Sequence, residues 1–330
     1  MNRAPPPTTA CPRRIEPALL GTTCCLLSAF SYTAANICLR QLAGLQIEPA
    51  WTICVKEIVA VSIVGPWLLW RWLQGERFGV PWSALGVLAT AGLVVQLAGN
   101  LSMQWAFGVV GLAITMPLVF GVNLAASGLI GMALFREWLS LRSVLAIALV
   151  IAAISLISVG LAHANDSLDS LPGATGTGVV LLGLAAACGT GAAFAYLGAA
   201  IRHTAKARVP ITVTVLVVTG VGVVVLGGIS WLRMGATGML ATEPSTLAWM
   251  LASGAFNLIG FALIIKGLQL TTLVHANVLN ASQVGLGAAV GILLFQESHN
   301  PWLLSGIALT IIGIGLFDRP VTEDRTNASK

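Results

Sequence analysis

GMALFREWLSLRSVLAIALVIAAI, Gly131–Ile154, returns 160 positions later as GILLFQESHNPWLLSGIALTIIGI, Gly291–Ile314. Nine positions are identical at this single offset: Gly131/Gly291, Leu134/Leu294, Phe135/Phe295, Glu137/Glu297, Ile147/Ile307, Ala148/Ala308, Leu149/Leu309, Ile151/Ile311 and Ile154/Ile314. Self-similarity at a fixed spacing identifies a repeat architecture. Here the period is about half of the 330 residues, so it marks a duplicated half and not a solenoid. Each copy reads as an apolar helix, a short Phe-x-Glu corner and a second apolar helix.

Composition sets the class around these corners. Hydrophobic residues make up 57% of the chain and charged residues 9%, with a mean hydropathy of +0.90. A soluble domain carries about 25% charged residues, so this chain could not cover a surface facing water. With lipid as solvent, backbone polar groups must be satisfied internally, which leaves helices or a closed barrel. The apolar runs are continuous and near 20 residues, without the alternation of barrel strands. The expected fold is therefore an all-α integral membrane bundle, and the pI near 9.1 reports how charge sits about a membrane, not a nucleic-acid partner.

In chain order, residues 1–17 read as a disordered basic cytoplasmic tail with Arg3, Arg13, Arg14 and Pro5, Pro6, Pro7 and Pro12. Spans are expected at about 18–39, 50–71, 82–106, 109–134 and 141–162 in a first half, residues 18–162. A polar extracytoplasmic linker, 163–175, precedes a second half, 176–318, with spans at about 176–200, 210–232, 246–268, 271–295 and 302–318. A polar cytoplasmic tail, 319–330, follows. The basic N-terminus and first span resemble a signal peptide. However, Leu19-Leu20-Gly21 and Arg40 recur 162 positions later as Leu181-Leu182-Gly183 and Arg202, so the first span has a counterpart in the sixth and belongs to the fold.

Charge orients the bundle. With the N-terminus inside, the inner segments collect Arg71, Arg77, Arg136, Arg142, Arg202, Lys206, Arg208 and Arg319 among others, and the outer ones only Arg40 and Arg233. This is the positive-inside bias, and both termini are expected in the cytoplasm. Trp51, Trp70, Trp72, Trp82, Trp105, Trp231, Trp249 and Trp302 fall near expected span ends, as an interfacial belt would have them. Five spans per half is an odd number, so the second half enters the membrane from the opposite side. Ten transmembrane helices as two inverted five-helix repeats is an arrangement that alternating-access transporters use, with the binding site near the midplane.

The two five-span halves, each with a Phe-x-Glu corner and a following Gly/Ala-rich span (Ala146–Ile157, Gly306–Phe317), and Lys56 early in the second span, resemble the EamA-type permeases of the drug/metabolite transporter superfamily. The resemblance covers about residues 18–318. It implies a plasma (inner) membrane permease with a central cavity lined by spans 1, 3, 4, 6, 8 and 9. Such a permease moves a small organic metabolite or drug-like solute, with export the favoured direction. One departure is Ala29-Phe30-Ser31-Tyr32 in the first span, where an aromatic-Gly pair is common.

Polar residues inside spans must face the bundle interior or a cavity. Gln96, Asn100 and Gln104 follow at four-residue spacing in span 3, and Ser28, Tyr32 and Asn36 do the same in span 1. Asn280 and Gln283 share a face of span 9 with Thr272; Asn123 in span 4 lies opposite Gln283 at the 160 offset; Asn257 sits in span 8. Amides that glue packed helices would look the same one at a time, at about 0.6–2 kcal/mol each. As a set on cavity-forming spans, Tyr32, Asn36, Gln96, Asn100, Gln104, Asn123, Asn257, Asn280 and Gln283 are the expected solute pathway. The nearly uncharged, amide-rich lining favours a neutral or zwitterionic solute. Pro117 is expected to break span 4 beside this pathway.

Glu57 is the only acid expected within a span and His275 the other candidate for carrying a coupling proton. Lys56 is expected to snorkel toward the outer surface or to pair with another helix, and not with its neighbour Glu57, since adjacent helical positions do not face each other. Gly287/Gly291 and Ser127/Gly131 read as small-residue pairs for close helix crossing. The six cysteines show no metal-ligand spacing and no disulfide framework, so neither metal nor cofactor is expected. Lipid is the expected surroundings and a homodimer is compatible with the sequence. The competing classes are a non-transporting sensor or scaffold, and an intramembrane enzyme using Ser127 and His275, for which the motif is incomplete.

Overall fold

The computed structural model describes residues 17–77, 79–135, 141–142, 144–146, 148–149, 152–153, 156, 177–280, 282–297 and 300–316. Most of the expected fifth span 141–162, residues 136–140 of the first corner, the linker 163–175, almost all of the tail 1–17 and the tail 319–330 lie outside the described residues. Every described element is helical. In order they are α1 (Pro17–Gly44), α2 (Pro49–Leu73), α3 (Trp82–Val94), a π-helical segment (Val95–Leu101), α4 (Ser102–Val109), α5 (Leu112–Phe135), α6 (Thr177–Lys206), α7 (Ile211–Leu240), α8 (Pro244–Leu270), α9 (Leu273–Asn280), α10 (Gln283–Leu294) and α11 (Pro301–Leu316).

Seven stretches of 23 to 30 residues are long and apolar enough to cross a bilayer: α1, α2, α3 through α4, α5, α6, α7 and α8. At 1.5 Å per residue they reach about 35–45 Å, more than the roughly 30 Å hydrocarbon thickness. Leu27, Ile63, Leu69, Leu129, Val224 and Leu293 stand exposed on their outer sides. In water so much contiguous apolar surface would be a liability, whereas in lipid it is the solvated face. The chain is a multi-pass helical membrane protein. Trp70, Trp72, Trp82, Trp231 and Trp302 are also exposed.

Local chemistry sets the helix ends. Proline opens α2, α8 and α11 at the first helical position, where its missing N–H costs nothing. The Glu48 carboxylate accepts from Trp51 N at 2.6 Å and the Asn300 side chain from Leu303 N at 2.8 Å, both N-caps. At the other ends, Gln46, Gly75 and Arg208 adopt positive φ of 59°, 89° and 57°. The next amides, Ile47 N, Glu76 N and Val209 N, reach back to Leu42, Arg71 and Thr204, which is Schellman geometry.

Three expectations are corrected. The third span is not one α-helix, because a π segment interrupts it from Val95 to Leu101. The ninth span is two helices, α9 and α10, with Ser282 in a turn between them. Pro117 does not break α5, which runs on to Phe135. It lies in the second turn, so only the Ala113 carbonyl loses its intrahelical donor.

Pairings define the layout. α1 packs along α8, α2 along α7, and α6 along α3, the π segment, α4 and α5; α10 packs on α5 and α1. Arg40 and Glu297 meet at one end of the bundle, as do Glu48 and Arg233, and Trp51 and Thr242. At the opposite end, Gly21 of α1 abuts Leu270 and Thr271, and Val80, Val209 and Ile211 share one cluster. Consequently α1 and α6 run in opposite directions, and so do α2 and α7, α3–α4 and α8, and α5 and α9–α10. Close crossings depend on glycine. A Cβ at Gly191 would collide with the Val119 carbonyl, and one at Gly287 would lie 2.8 Å from Met116 Cγ.

Candidate functional site

A cavity lies halfway along the helices, with a volume of about 110 Å³, room for several waters. Its polar wall comes from most of the bundle: Tyr32 and Asn36 of α1, Lys56 and Glu57 of α2, Gln96 and Asn100 of the π segment, Asn123 of α5, Asn257 of α8, Asn280 of α9 and Gln283 of α10. The apolar wall includes Phe120, Phe194, Phe261, Ile264 and Leu268. Eight of the nine residues named as the pathway from sequence therefore share one space, together with Glu57.

The amides are linked to one another. Asn100 Nδ2 donates to Gln96 Oε1 at 2.8 Å and to Glu57 Oε1 at 3.4 Å, while Gln96 Nε2 donates to the Val218 carbonyl at 3.3 Å. Across the cavity, Asn36 Nδ2 donates to Gln283 Oε1 at 3.4 Å, and Gln283 Nε2 to Asn280 Oδ1 at 2.9 Å and to the Asn280 carbonyl at 3.1 Å. The last bond occupies a carbonyl at the end of α9, where the helix stops. Irregular backbone inside a membrane is tolerated where it lines a cavity and finds such partners. The π segment follows the same rule: Ser102 Oγ donates to the Leu97 carbonyl at 3.1 Å, and Thr190 Oγ1 of α6 to the Gly99 carbonyl at 3.1 Å.

Lys56 and Glu57 overturn the sequence expectation. They form an ion pair, Nζ to Oε1 3.0 Å, with side chains only 1% and 2% exposed, and Lys56 Nζ also lies 3.4 Å from Asn257 Oδ1. Lys56 does not snorkel outward. The rule for adjacent positions concerns Cβ directions; a four-carbon stem can curl round the helix, and in a poorly polarisable interior the nearest opposite charge holds it there. Glycines make the room. A Cβ at Gly222 of α7 would sit 2.7 Å from Gln96 Cδ and 3.0 Å from Glu57 Cγ, and one at Gly254 of α8 would sit 2.7 Å from the Lys56 carbonyl oxygen.

Two named residues stand apart from the cavity. Gln104 donates to the Leu39 carbonyl at 3.1 Å, and its Oε1 is buried without a hydrogen-bond partner. It lies two turns beyond Gln96, where α4 packs directly on α1, so it acts as interhelical glue. His275 lies at the start of α9: its Nε2 is 3.3 Å from Thr22 Oγ1 and its backbone N donates to Thr272 Oγ1 at 3.2 Å. Thr22 is ten residues, about 15 Å, along α1 from Tyr32, so His275 and Glu57 do not share a site.

Sequence reasoning also underrated a second charged centre. Glu297 Oε1 accepts from Arg40 Nε at 2.7 Å and from Leu112 N at 2.8 Å, and Oε2 accepts from Ala113 N at 2.7 Å. The carboxylate thus caps the N-terminus of α5, where the exposed N–H groups and helix dipole favour an anion. Gly111 turns into that helix at φ +78°, and a Cβ there would lie 2.8 Å from the carboxylate. The guanidinium of Arg40 also lies over the Phe295 ring, 5.3 Å from its centroid. The signal was present in the paired repeats Arg40/Arg202 and Glu137/Glu297.

No family model matches the chain, and no curated protein does. The fold does recur in a solved crystal structure that is 16% identical, with a TM-score of 0.58 over 92% of this chain and 96% of that one. That likeness extends over nearly the whole of both chains and concerns the fold alone.

Proposed function

We propose that the protein is a transporter of the EamA-type drug/metabolite permeases, built of ten spans in two inverted halves, that moves a small organic solute by alternating access. The observation that carries this reading is the mid-bundle cavity: buried amides from both halves converge on it, at the depth where transporters with inverted repeats bind solute. The opposite directions of α1 and α6, α2 and α7, α3–α4 and α8, and α5 and α9–α10 support the inverted duplication, which the 160-residue repeat suggested independently.

Charge supports the orientation. Arg71, Arg77, Arg202, Lys206 and Arg208 belong to the end shared by the α2, α6 and α8 C-termini. At the other end Arg40 and Arg233 are each paired with a glutamate. The basic end is then cytoplasmic, with both termini there, in the plasma or inner membrane. Glu57 remains the proposed proton site, and its protonation would release Lys56, so coupling would act through the pair. His275 is too remote to share that step.

The test is solute flux in proteoliposomes of the purified protein, combined with labelling of single cysteines on a Cys-free background. Cysteines in 74–77 and at 296 should react from opposite sides of the membrane, and counterflow should be saturable. Labelling of both from one side would refute the inverted halves. A folded, ligand-binding protein without flux of its bound ligand would favour a sensor.

A further inference from the structure

The Lys56–Glu57 pair demands an explanation that packing does not supply. Two apolar residues of similar volume would hold α2 between α7 and α8 without the desolvation cost of two buried charges. Neither charge is saturated by the protein. The ammonium has three donors and two partners, Glu57 Oε1 and Asn257 Oδ1. The carboxylate places both of its contacts, Lys56 and Asn100, on Oε1, and Oε2 has no hydrogen-bond partner among the described residues. Both heads face the cavity.

We propose that this pair is a displaceable internal counterpart of the solute, and that the solute is a zwitterion with an ammonium and a carboxylate on an apolar body. The inference rests on the transport reading and narrows its substrate class. The resting cavity is charge-balanced. A solute with one charge brings an uncompensated charge into a low-dielectric space, where it is expensive. An uncharged solute leaves the pair closed and gains nothing from it. A zwitterion inserted between the heads offers its carboxylate to Lys56 and its ammonium to Glu57, so that every charge keeps an opposite partner in the empty and filled states alike. Asn257 and Asn100 remain beside the two heads as secondary partners, and Phe120, Phe194, Phe261 and Ile264 accept the apolar body. The pairing of Lys56 with its own neighbour then keeps the empty cavity neutral.

The test uses four probes on the full-length protein in detergent: leucine, its decarboxylated amine isoamylamine, its deaminated acid isocaproate, and the uncharged N-acetyl-leucinamide. Binding is read by ligand-induced stabilisation. Leucine should bind about tenfold or more tightly than each of the others, the scale of one hydrogen bond to a charged group. Glu57→Gln should shift the preference to isocaproate and Lys56→Met to isoamylamine, a reciprocal switch that a merely structural pair would not produce. Because either variant could fail to fold, the order of the four probes on the unaltered protein is decisive by itself. Binding of the uncharged or a singly charged probe as tight as leucine, or no binding by any of the four, overturns the proposal. Counterflow separates the two readings: saturable flux without preference for leucine leaves transport standing and sinks the zwitterion, whereas leucine binding without leucine flux does the reverse.

Discussion

Substitution of Glu297 by Gln should be among the most destabilising single-atom changes in the molecule. The side chains of Arg40 and Glu297 are only 11% and 8% exposed, so solvent screening offers little relief. The carboxylate takes three donors: Arg40 Nε, Leu112 N and Ala113 N. The amide keeps one acceptor oxygen and turns an NH2 group toward donors that had an oxygen, leaving either Ala113 N alone or Arg40 and Leu112 N together unsatisfied. A hydrogen bond to a charged group contributes about 1.5–3 kcal/mol, and removing one partner of a buried ion pair costs about 3–5 kcal/mol. Since one oxygen survives, the expected loss is about 3 kcal/mol. Arg40→Met should cost less, about 1–2 kcal/mol, because Glu297 retains both backbone donors at the α5 N-terminus. The double variant should cost less than the sum, since the residues share one network. Equilibrium unfolding in graded denaturing micelles, followed by tryptophan fluorescence, measures all three. A Glu297→Gln loss within about 0.5 kcal/mol of zero, the range of an ordinary surface change, would refute the account of this centre.

Gly111→Ala places a Cβ at φ +78° and 2.8 Å from the Glu297 carboxylate, so it should lose at least about 1 kcal/mol in the same assay; an unchanged midpoint would mean the turn relaxes freely. In a Cys-free background, cysteines at 36, 100, 123 and 283 should react with small aqueous thiol reagents and be protected by solute, while one at 104 stays inert. Labelling at 104 as fast as at 100 would show that the cavity extends past Leu39. Asn100→Ala should weaken solute binding with a stability loss of only about 1 kcal/mol, checked by comparing ligand-induced stabilisation with unfolding in the absence of solute. Gln104→Leu removes a buried, unpartnered oxygen and should leave flux unchanged and stability within about 1 kcal/mol of the parent; loss of flux would return Gln104 to the pathway.

The residue sequence alone determined the helical membrane class, because a chain with 9% charged residues has no soluble fold available and composition does not depend on packing. It also determined which polar side chains must point inward, since Asn36, Gln96, Asn100, Asn123 and Gln283 could face lipid only at a prohibitive cost. Tertiary structure decided what each inward group meets. Gln96 and Gln104 look equivalent on a helical wheel, yet one faces the cavity and the other packs on α1, because the gap between two helices varies along their length. Lys56 and Glu57 looked unpaired because periodicity records where Cβ atoms point and not where a flexible stem can carry a charge. The π segment and the turn at Ser282 left no local mark that could be read beforehand, since both depend on partners such as Thr190 that are remote in sequence. Periodicity speaks for one helix at a time, and the site is made of spaces between helices.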